Sequence, residues 1–217
     1  MISPERLDQF QRHWANLLGS FGVALADAYP VFDQLVAAYT EPHRHYHTLE
    51  HLGELFRVVV RLPVVDPRAV QLAVWFHDVV YDPRAKDNEK RSADRVPEWL
   101  TPLKIPSAVM IRVAELVRAT AHLSAEAGSD PDTIALLDAD LAILAAAEHR
   151  YQRYTADIRQ EYAWVPEDAY RTGRIAVLES FLARPRFFHT ELMFTEGEAA
   201  ARRNLTSEVR QHWAGQK

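Results

Sequence analysis

Apolar residues recur along this chain mostly at spacings of three and four, which is the pattern of helices that bury one face. Glycine is scarce, at 7 of 217 residues. Both features predict a nearly all-helical fold. The periodic segments predict helices at about residues 4–18, 30–39, 46–62, 67–81, 88–100, 107–121, 132–145, 148–163, 167–183 and 196–213.

Prolines mark the expected helix ends, because proline lacks a backbone N–H and is tolerated mainly in the first turn. These prolines are Pro63, Pro67, Pro102, Pro106, Pro131, Pro166 and Pro185. Asp130 or Asp132 is a natural N-cap for the helix that follows the polar segment 124–131. No shift in composition divides the chain, so we expect one all-α, single-domain helical bundle over residues 1–217.

The overall composition narrows the classes of function. The formal net charge is −5, so the chain lacks the positive field on which binding to nucleic-acid polymers relies. There is no cysteine, so a metal site must use nitrogen and oxygen ligands. Residues 1–14 do not resemble a signal peptide, and no stretch approaches the ~20 apolar residues that span a bilayer. We expect a cytoplasmic protein with no nucleic-acid polymer and no membrane as partner.

Histidines cluster in the segment from Arg44 to Leu52. A helix places residues four apart on one face, so His47 and His51 are expected to project together. His43 and His47 share this spacing, but Pro42 directly precedes His43 and the expected helix start lies between the two histidines. The later pair, His47 and His51, is therefore favoured. The spacing alone is weak evidence, since about 0.5 such pairs arise by chance at this histidine content.

A second candidate element is the doublet His77-Asp78, which lies within a strongly apolar segment. Its neighbours Trp75, Phe76 and Val79 are bulky and apolar. A carboxylate buried in such surroundings is costly unless a cation or hydrogen bonds compensate its charge. A metal ion shared by His77 and Asp78 would supply that compensation.

Two carboxylates, Asp138 and Asp140, stand inside an apolar helix. The positions one turn before and after Asp140 carry larger apolar side chains than those around Asp138. We therefore expect Asp140 to point inward as a metal ligand, with Asp138 as the alternative. The apolar residues one turn before and after Asp140 are Leu136, Leu137, Ile143 and Leu144.

Three helices would then bring His51, His77, Asp78 and Asp140 to one divalent metal site. The order His, His-Asp, Asp along the chain is more specific than any one of the three elements. Two imidazoles and two carboxylates make a mixed nitrogen and oxygen site, which suits Mn, Fe, Zn, Ni or Co, or Mg with less preference for imidazole.

With these motifs the chain resembles the HD-domain superfamily of metal-dependent phosphohydrolases, and within it a small bacterial family of predicted phosphohydrolases. The resemblance covers about residues 40–204. It implies an HD-type helical domain with core motifs in residues 40–145, on which helices in residues 146–217 pack. Its motifs are Arg44-His45-Tyr46-His47 with His51, the segment 76–82, Asn88-Glu89 with Ser92-Ala93, and the segment 137–141.

Tyr46-His47 with His51 is also similar to the pocket of cyclic-nucleotide phosphodiesterases. In those enzymes the second histidine binds metal and the first donates a proton, which implies His51 as ligand and His47 as general acid. This chain departs from them at Tyr81-Asp82, where they have a further histidine. Their two-metal arrangement is therefore not carried over.

For other polar residues the sequence allows either a functional or a structural role. Asp82, Glu89 and His122 are candidates for a catalytic, second-metal or water-positioning role, although Asn88-Glu89 could simply form a helix N-terminus. Basic side chains could bind a substrate phosphate or could be solvated or ion-paired. They are Arg44, Lys90, Arg91, Arg171 and Arg174.

The expected function is hydrolysis of a small phosphate ester, with nucleotides among the candidates, by metal-activated water. One alternative is a non-catalytic helical module that binds a metal or nucleotide. The other is a diiron oxygenase on the same scaffold, which would need further histidine ligands, and His122 is the obvious one.

Overall fold

The computed structural model describes residues 2–121 and 130–214 of the chain. Within these ranges it contains helices and no strands, which confirms the prediction of an all-α helical bundle. A 3-10 turn, Ala142–Ala145, follows α7 directly. The helices are α1 Pro4–Gly19, α2 Leu25–Tyr39, α3 Leu49–Val59, α4 Pro67–Phe76, α5 Asn88–Leu100, α6 Ser107–Ala119, α7 Pro131–Leu141, α8 Glu148–Glu161, α9 Glu167–Leu182 and α10 Glu191–Ala214.

Short polar side chains and prolines start several of these helices. Ser3, Asp66 and Asp130 accept hydrogen bonds from first-turn amides of α1, α4 and α7, and each of these helices has a proline in its first two positions. Asp130 is thus the N-cap of α7. Asp132 is instead buried and accepts a hydrogen bond from the amide of Val65.

Three predicted helix boundaries are wrong in an informative way. α2 begins at Leu25 and contains Pro30, which was predicted to start it. α3 begins at Leu49 with Thr48 as N-cap. His47 therefore lies before the helix, and not on it one turn ahead of His51. α4 ends at Phe76, so His77 and Asp78 occupy the turn that follows and not a helix interior.

The core behind this turn is aromatic. The Trp75 ring is fully buried and lies within 6.1 Å, centroid to centroid, of the rings of Phe10, Trp14, Phe32 and Phe56. Aromatic pairs at these distances pack favourably beyond the area they bury. They fix the C-terminal end of α4, and with it the position of His77.

The C-terminal helices form a second apolar cluster that packs beside the first. Tyr151, Tyr154 and Ile158 of α8 face it, and α10 packs on α9 and on the 3-10 turn. α3, α4 and α7 contact one another, and most of their buried apolar residues belong to the first cluster. Among the described residues, no helix combines the length and apolar character that a membrane span requires.

Candidate metal centre

Side chains from α3, α7 and the turn after α4 converge at one point. Ligand-type atoms of His51, His77 and Asp78 all lie within 4.8 Å of one another. The two imidazole Nε2 atoms are 3.3 Å apart, and Asp78 Oδ2 lies 3.0 Å from His77 Nε2 and 3.9 Å from His51 Nε2. Asp140 Oδ1 lies 3.0 Å from His51 Nε2 and 3.7 Å from His77 Nε2.

These separations suit a shared cation. Nitrogen and oxygen ligands about 2.1 Å from one ion stand about 3.0 Å apart at right angles and about 4.2 Å apart when opposite. The distances from 3.0 to 3.9 Å fall within that range. His51, His77 and Asp78 therefore form a buried group that could hold a metal ion, and Asp140 approaches both imidazoles of that group.

The orientation of His77 is fixed by the end of its own helix. Its Nδ1–H donates to the carbonyl oxygen of Val74 at 2.9 Å. This hydrogen bond keeps the proton on Nδ1 and directs Nε2 at the cluster, where it would offer its lone pair to a metal ion; outer-shell partners impose this arrangement on metal-binding histidines. His51 Nε2 also faces the cluster, and its Nδ1 has no hydrogen-bond partner among the described residues.

Charge is concentrated in this small volume. Burial opposes ionisation of Asp78, but the adjacent His77 outweighs it, and the pKa of Asp78 falls far below its usual value. Burial likewise disfavours the charged form of His77, yet Asp78 and Asp140 together raise its pKa to about 9. For His51, burial dominates and lowers the pKa. The cluster thus compensates the Asp78 carboxylate with positive charge, and a divalent cation would do the same.

Arg44 holds the turn that carries the doublet. Its buried guanidinium donates to the carbonyl oxygens of Asp78 at 2.7 Å, Val79 at 3.1 Å and His47 at 3.2 Å. Glu41 Oε2 accepts from its Nε at 2.9 Å. Arg44 was a candidate for binding a substrate phosphate, but these hydrogen bonds commit it to the backbone. It joins the segment before α3 to the turn after α4.

His47 lies beside the cluster, with its ring centroid 5.9 Å from that of His51. Its Nδ1–H donates to Glu161 Oε2 at 2.7 Å, and the hydroxyl of Tyr81 donates to the same oxygen at 2.7 Å. The Tyr81 ring stacks on the imidazole with 4.1 Å between centroids. These contacts fix the ring and engage Nδ1, so that Nε2 is the ring nitrogen left available with respect to the described residues.

Glu161 is the main positioning residue that the sequence did not reveal. Its side chain is fully buried, and Oε1 accepts from the backbone amides of His45, Tyr46 and His47 at 2.8 to 3.0 Å. Burial would raise the pKa of this carboxyl, but the hydrogen bonds and charge of His47, with help from Tyr81, lower it to about 2. Glu161 therefore holds the whole turn that precedes α3.

The His47–Glu161 pair also affects the imidazole. Burial disfavours the charged ring, but the hydrogen bond and charge of Glu161, with smaller contributions from Asp78 and Asp140, outweigh it. The net result is a raised pKa for His47. A larger fraction of this imidazole is protonated near neutral pH than in a free histidine.

Other predicted residues have local structural contacts. Asp82 Oδ1 accepts from the amide of Arg84 at 2.9 Å, and the side chain of Asn88 bonds both the amide and the carbonyl of Asp82. The Ser92 hydroxyl holds Val80 in the same way. Asn88 and Ser92 of α5 thus stabilise the segment that follows the His77-Asp78 doublet. Neither Asp82 nor Glu89, which lies in the first turn of α5, belongs to the metal-capable group.

Asp138 is fully buried but faces away from the cluster. Its carboxylate accepts from the amides of His189 and Thr190 at 2.9 and 2.7 Å and from the Thr190 hydroxyl at 2.6 Å. Of the two carboxylates in α7, Asp140 is therefore the one that reaches the histidines. His122 lies outside the described residues.

The remaining basic candidates form ion pairs outside the cluster. Lys90 pairs with Asp94, Arg91 with Asp87, and Arg171 with Glu167. Arg174 is largely buried and pairs with Glu208 at 2.7 Å. None of these contacts directs a guanidinium or ammonium group to the histidines.

Comparison of the chain with protein-family models, with curated proteins and with solved structures found no match. The resemblance to the HD-domain superfamily therefore stays a prediction from the motifs.

Proposed function

We propose that this protein is a metal-dependent phosphohydrolase of the HD type that cleaves a small phosphate ester. The observation that carries the proposal is the convergence of His51, His77, Asp78 and Asp140 at separations suited to one cation, with His47 beside them. Binding of a metal requires only the first four residues. The fixed, partly exposed imidazole of His47 is what favours catalysis over binding alone.

The ligand set suits Mn, Fe, Zn, Ni, Co or Mg, because imidazole and carboxylate are both acceptable to these ions. When bound, such a cation lowers the pKa of its water toward 7 and polarises a phosphoryl oxygen. Two fixed imidazoles and two carboxylates of this chain would hold the cation. The two carboxylates balance the charge of a divalent cation, so an anionic phosphate ester would be attracted by direct contact of its oxygen atom with the cation and not by a net positive site.

Side-chain exposure indicates where a substrate enters. The side chains of His51 and His77 are 1% exposed, whereas those of Asp78, Asp140 and His47 are 15%, 13% and 20% exposed. The open side of the cluster is therefore the side of the two carboxylates and His47. A phosphate ester that enters there would meet Nε2 of His47.

His47 is the proposed general acid. A leaving alkoxide needs a proton, and the hydrogen bond and charge of Glu161 outweigh burial and raise the pKa of His47, which favours the protonated imidazole that a general acid requires. Glu161 accepts from Nδ1 and keeps Nε2 directed away from it. Tyr81 stacks on the ring and limits its rotation.

The test is release of inorganic phosphate from a panel of phosphomonoesters and nucleotides by protein reconstituted with each metal in turn. His47→Gln should lower kcat by about 10²–10⁴-fold, the usual contribution of a general acid, with metal content unchanged. The matched control is His149→Gln, an exposed histidine at the start of α8, which should keep full activity.

Two results would contradict the proposal. Full activity in His47→Gln would show that His47 is not the general acid. Metal binding without phosphate release from any ester, with every metal, would favour a non-catalytic metal-binding module.

A further inference from the structure

A cavity of about 190 Å³ lies next to the candidate metal centre. Two of the proposed ligands, His51 and Asp140, form part of its wall, and the rest comes from Tyr46 before α3, from α3 and α7, from the 3-10 turn and from the residues around the start of α8. Most of that wall is apolar, including Leu55, Val58 and Ile143. The volume is below the ~300 Å³ at which drug-sized sites begin, so it suits a compact group of a few heavy atoms.

Three buried polar atoms that have no hydrogen-bond partner in the described part of the chain belong to residues that line this cavity. They are the Tyr46 hydroxyl, His51 Nδ1 and Arg150 Nη1. Tyr46 is 5% exposed and His51 is 1% exposed. Such atoms are rare in folded proteins because each one that is left unpaired costs about 1–3 kcal/mol. Three of them around one cavity point to a ligand.

All three atoms are suited to donate a hydrogen bond. Arg150 Nη1 can only donate, because a guanidinium has no acceptor. His51 Nδ1 carries the proton when Nε2 faces a cation, and the Tyr46 hydroxyl can donate or accept. The complementary ligand group is therefore an acceptor of several hydrogen bonds.

The charges around the cavity favour an anion. Glu54 accepts from Arg150 Nε and Nη2 at 2.7 and 2.8 Å, so these two charges pair. Asp140 faces the candidate cation. Arg57, an exposed residue of the same wall, then leaves a net positive lining. The Arg150 guanidinium also lies over the Tyr46 ring at 5.7 Å, which keeps two of the donors together.

We propose that this cavity binds a carboxylate of the substrate, so that the phosphate ester cleaved at the metal centre is that of a small hydroxy acid. This inference rests on the proposed function for the position of the phosphoryl group. Tyr46, His51 and Arg150 would each donate one hydrogen bond to the carboxylate oxygens, and Arg57 would add charge at the rim.

The test uses three phosphonates of similar size, in which a carbon–phosphorus bond replaces the ester bond that the protein would cleave. They are 3-phosphonopropionate, propylphosphonate and 2-aminoethylphosphonate, which end in a carboxylate, a methyl group and an ammonium group. Calorimetric titration into the metal-reconstituted protein should give the tightest binding for the carboxylate and the weakest for the ammonium probe. A charged group that accepts two or three hydrogen bonds should improve affinity by about tenfold or more over methyl.

Variants separate binding in the cavity from binding to the metal. Tyr46→Phe and Arg150→Lys should each reduce the preference for carboxylate over methyl by about 5–10-fold, the loss of one hydrogen bond to a charged group. Tyr29→Phe and Arg153→Lys change exposed residues in the same chemical way and should leave the preference intact.

Equal affinities for the carboxylate and methyl probes, or tighter binding of the ammonium probe, would overturn the proposal. A carboxylate preference that neither cavity variant reduces would place the carboxylate on the metal and would overturn it too. If none of the phosphonates binds, the proposed phosphoryl site fails, and propionate alone then tests the cavity. Binding of propionate that Tyr46→Phe weakens supports the cavity, and no binding of propionate refutes it.

Discussion

Replacement of Glu161 by glutamine tests how the turn before α3 is held. The wild-type carboxylate accepts three backbone amides through Oε1 and two side-chain donors, from His47 and Tyr81, through Oε2. A glutamine oxygen can still accept the amides, but its NH₂ group cannot accept from either side chain. Two buried donors therefore lose their acceptor in Glu161→Gln, and the charge is removed.

The magnitude follows from the pKa of this carboxyl. A fall from 4.5 to about 2 on folding corresponds to about 3 kcal/mol of stabilisation at neutral pH. A lowered pKa means that this contribution is complete above about pH 4.5 and is lost as the pH falls through about 2. It should still be about 1 kcal/mol at pH 3. Glu161→Gln should therefore be less stable by about 3 kcal/mol at pH 7, with a smaller difference at pH 3.

The assay is urea unfolding of the metal-free proteins at both pH values. The matched control is Glu148→Gln, an exposed carboxylate at the other end of α8, which should change stability by less than about 0.5 kcal/mol. A loss below about 1 kcal/mol in Glu161→Gln at pH 7, or an equal loss at pH 3, would refute the reasoning. Metal content should be unchanged, since Glu161 is not a proposed ligand.

Two further changes separate structural from ligand residues. Asp138→Ala removes three hydrogen bonds to Thr190 and its neighbour and should lower the unfolding free energy by about 2–4 kcal/mol without loss of metal. Asp140→Ala should instead lower the metal content measured by elemental analysis and change the stability of the metal-free protein little. The opposite pattern would make Asp138 the ligand and Asp140 the structural residue. Arg44→Lys should cost about 2–3 kcal/mol in urea unfolding, because one ammonium cannot reach the three carbonyls that the guanidinium bonds. A change below about 0.5 kcal/mol would contradict the bracing role of Arg44.

The sequence predicted the helical fold well because the periodicity of apolar residues is a local property. Helix ends were less predictable. Pro30 was read as a helix start, but it lies inside α2, near enough to the N-terminus for the helix to continue through it. The end of α4 at Phe76 depends on Arg44, a residue far away in sequence that holds the carbonyls of Asp78 and Val79.

The candidate metal ligands could be named from local context, since histidine and aspartate in apolar segments are conspicuous. The predicted reason for pairing His47 with His51 was wrong, because His47 precedes α3, yet the two rings still lie 5.9 Å apart. Glu161 could not be found from the polar segment around it, because its partners lie 80 to 116 residues earlier in the chain. One signal was present: Glu161 continues the buried stripe of Tyr151, Tyr154 and Ile158 at helical spacing.

The most direct test of the metal site is elemental analysis of the purified protein and of the double variant His77→Ala/Asp78→Ala. The matched control is His149→Ala/Asp168→Ala, which removes an exposed histidine and an exposed aspartate. We predict about one equivalent of a divalent metal in the wild type and in the control, and a large loss in the site variant, which should remain helical. Equal metal in all three proteins, or no metal in the wild type even after reconstitution with Mn, Fe or Zn, would contradict the account.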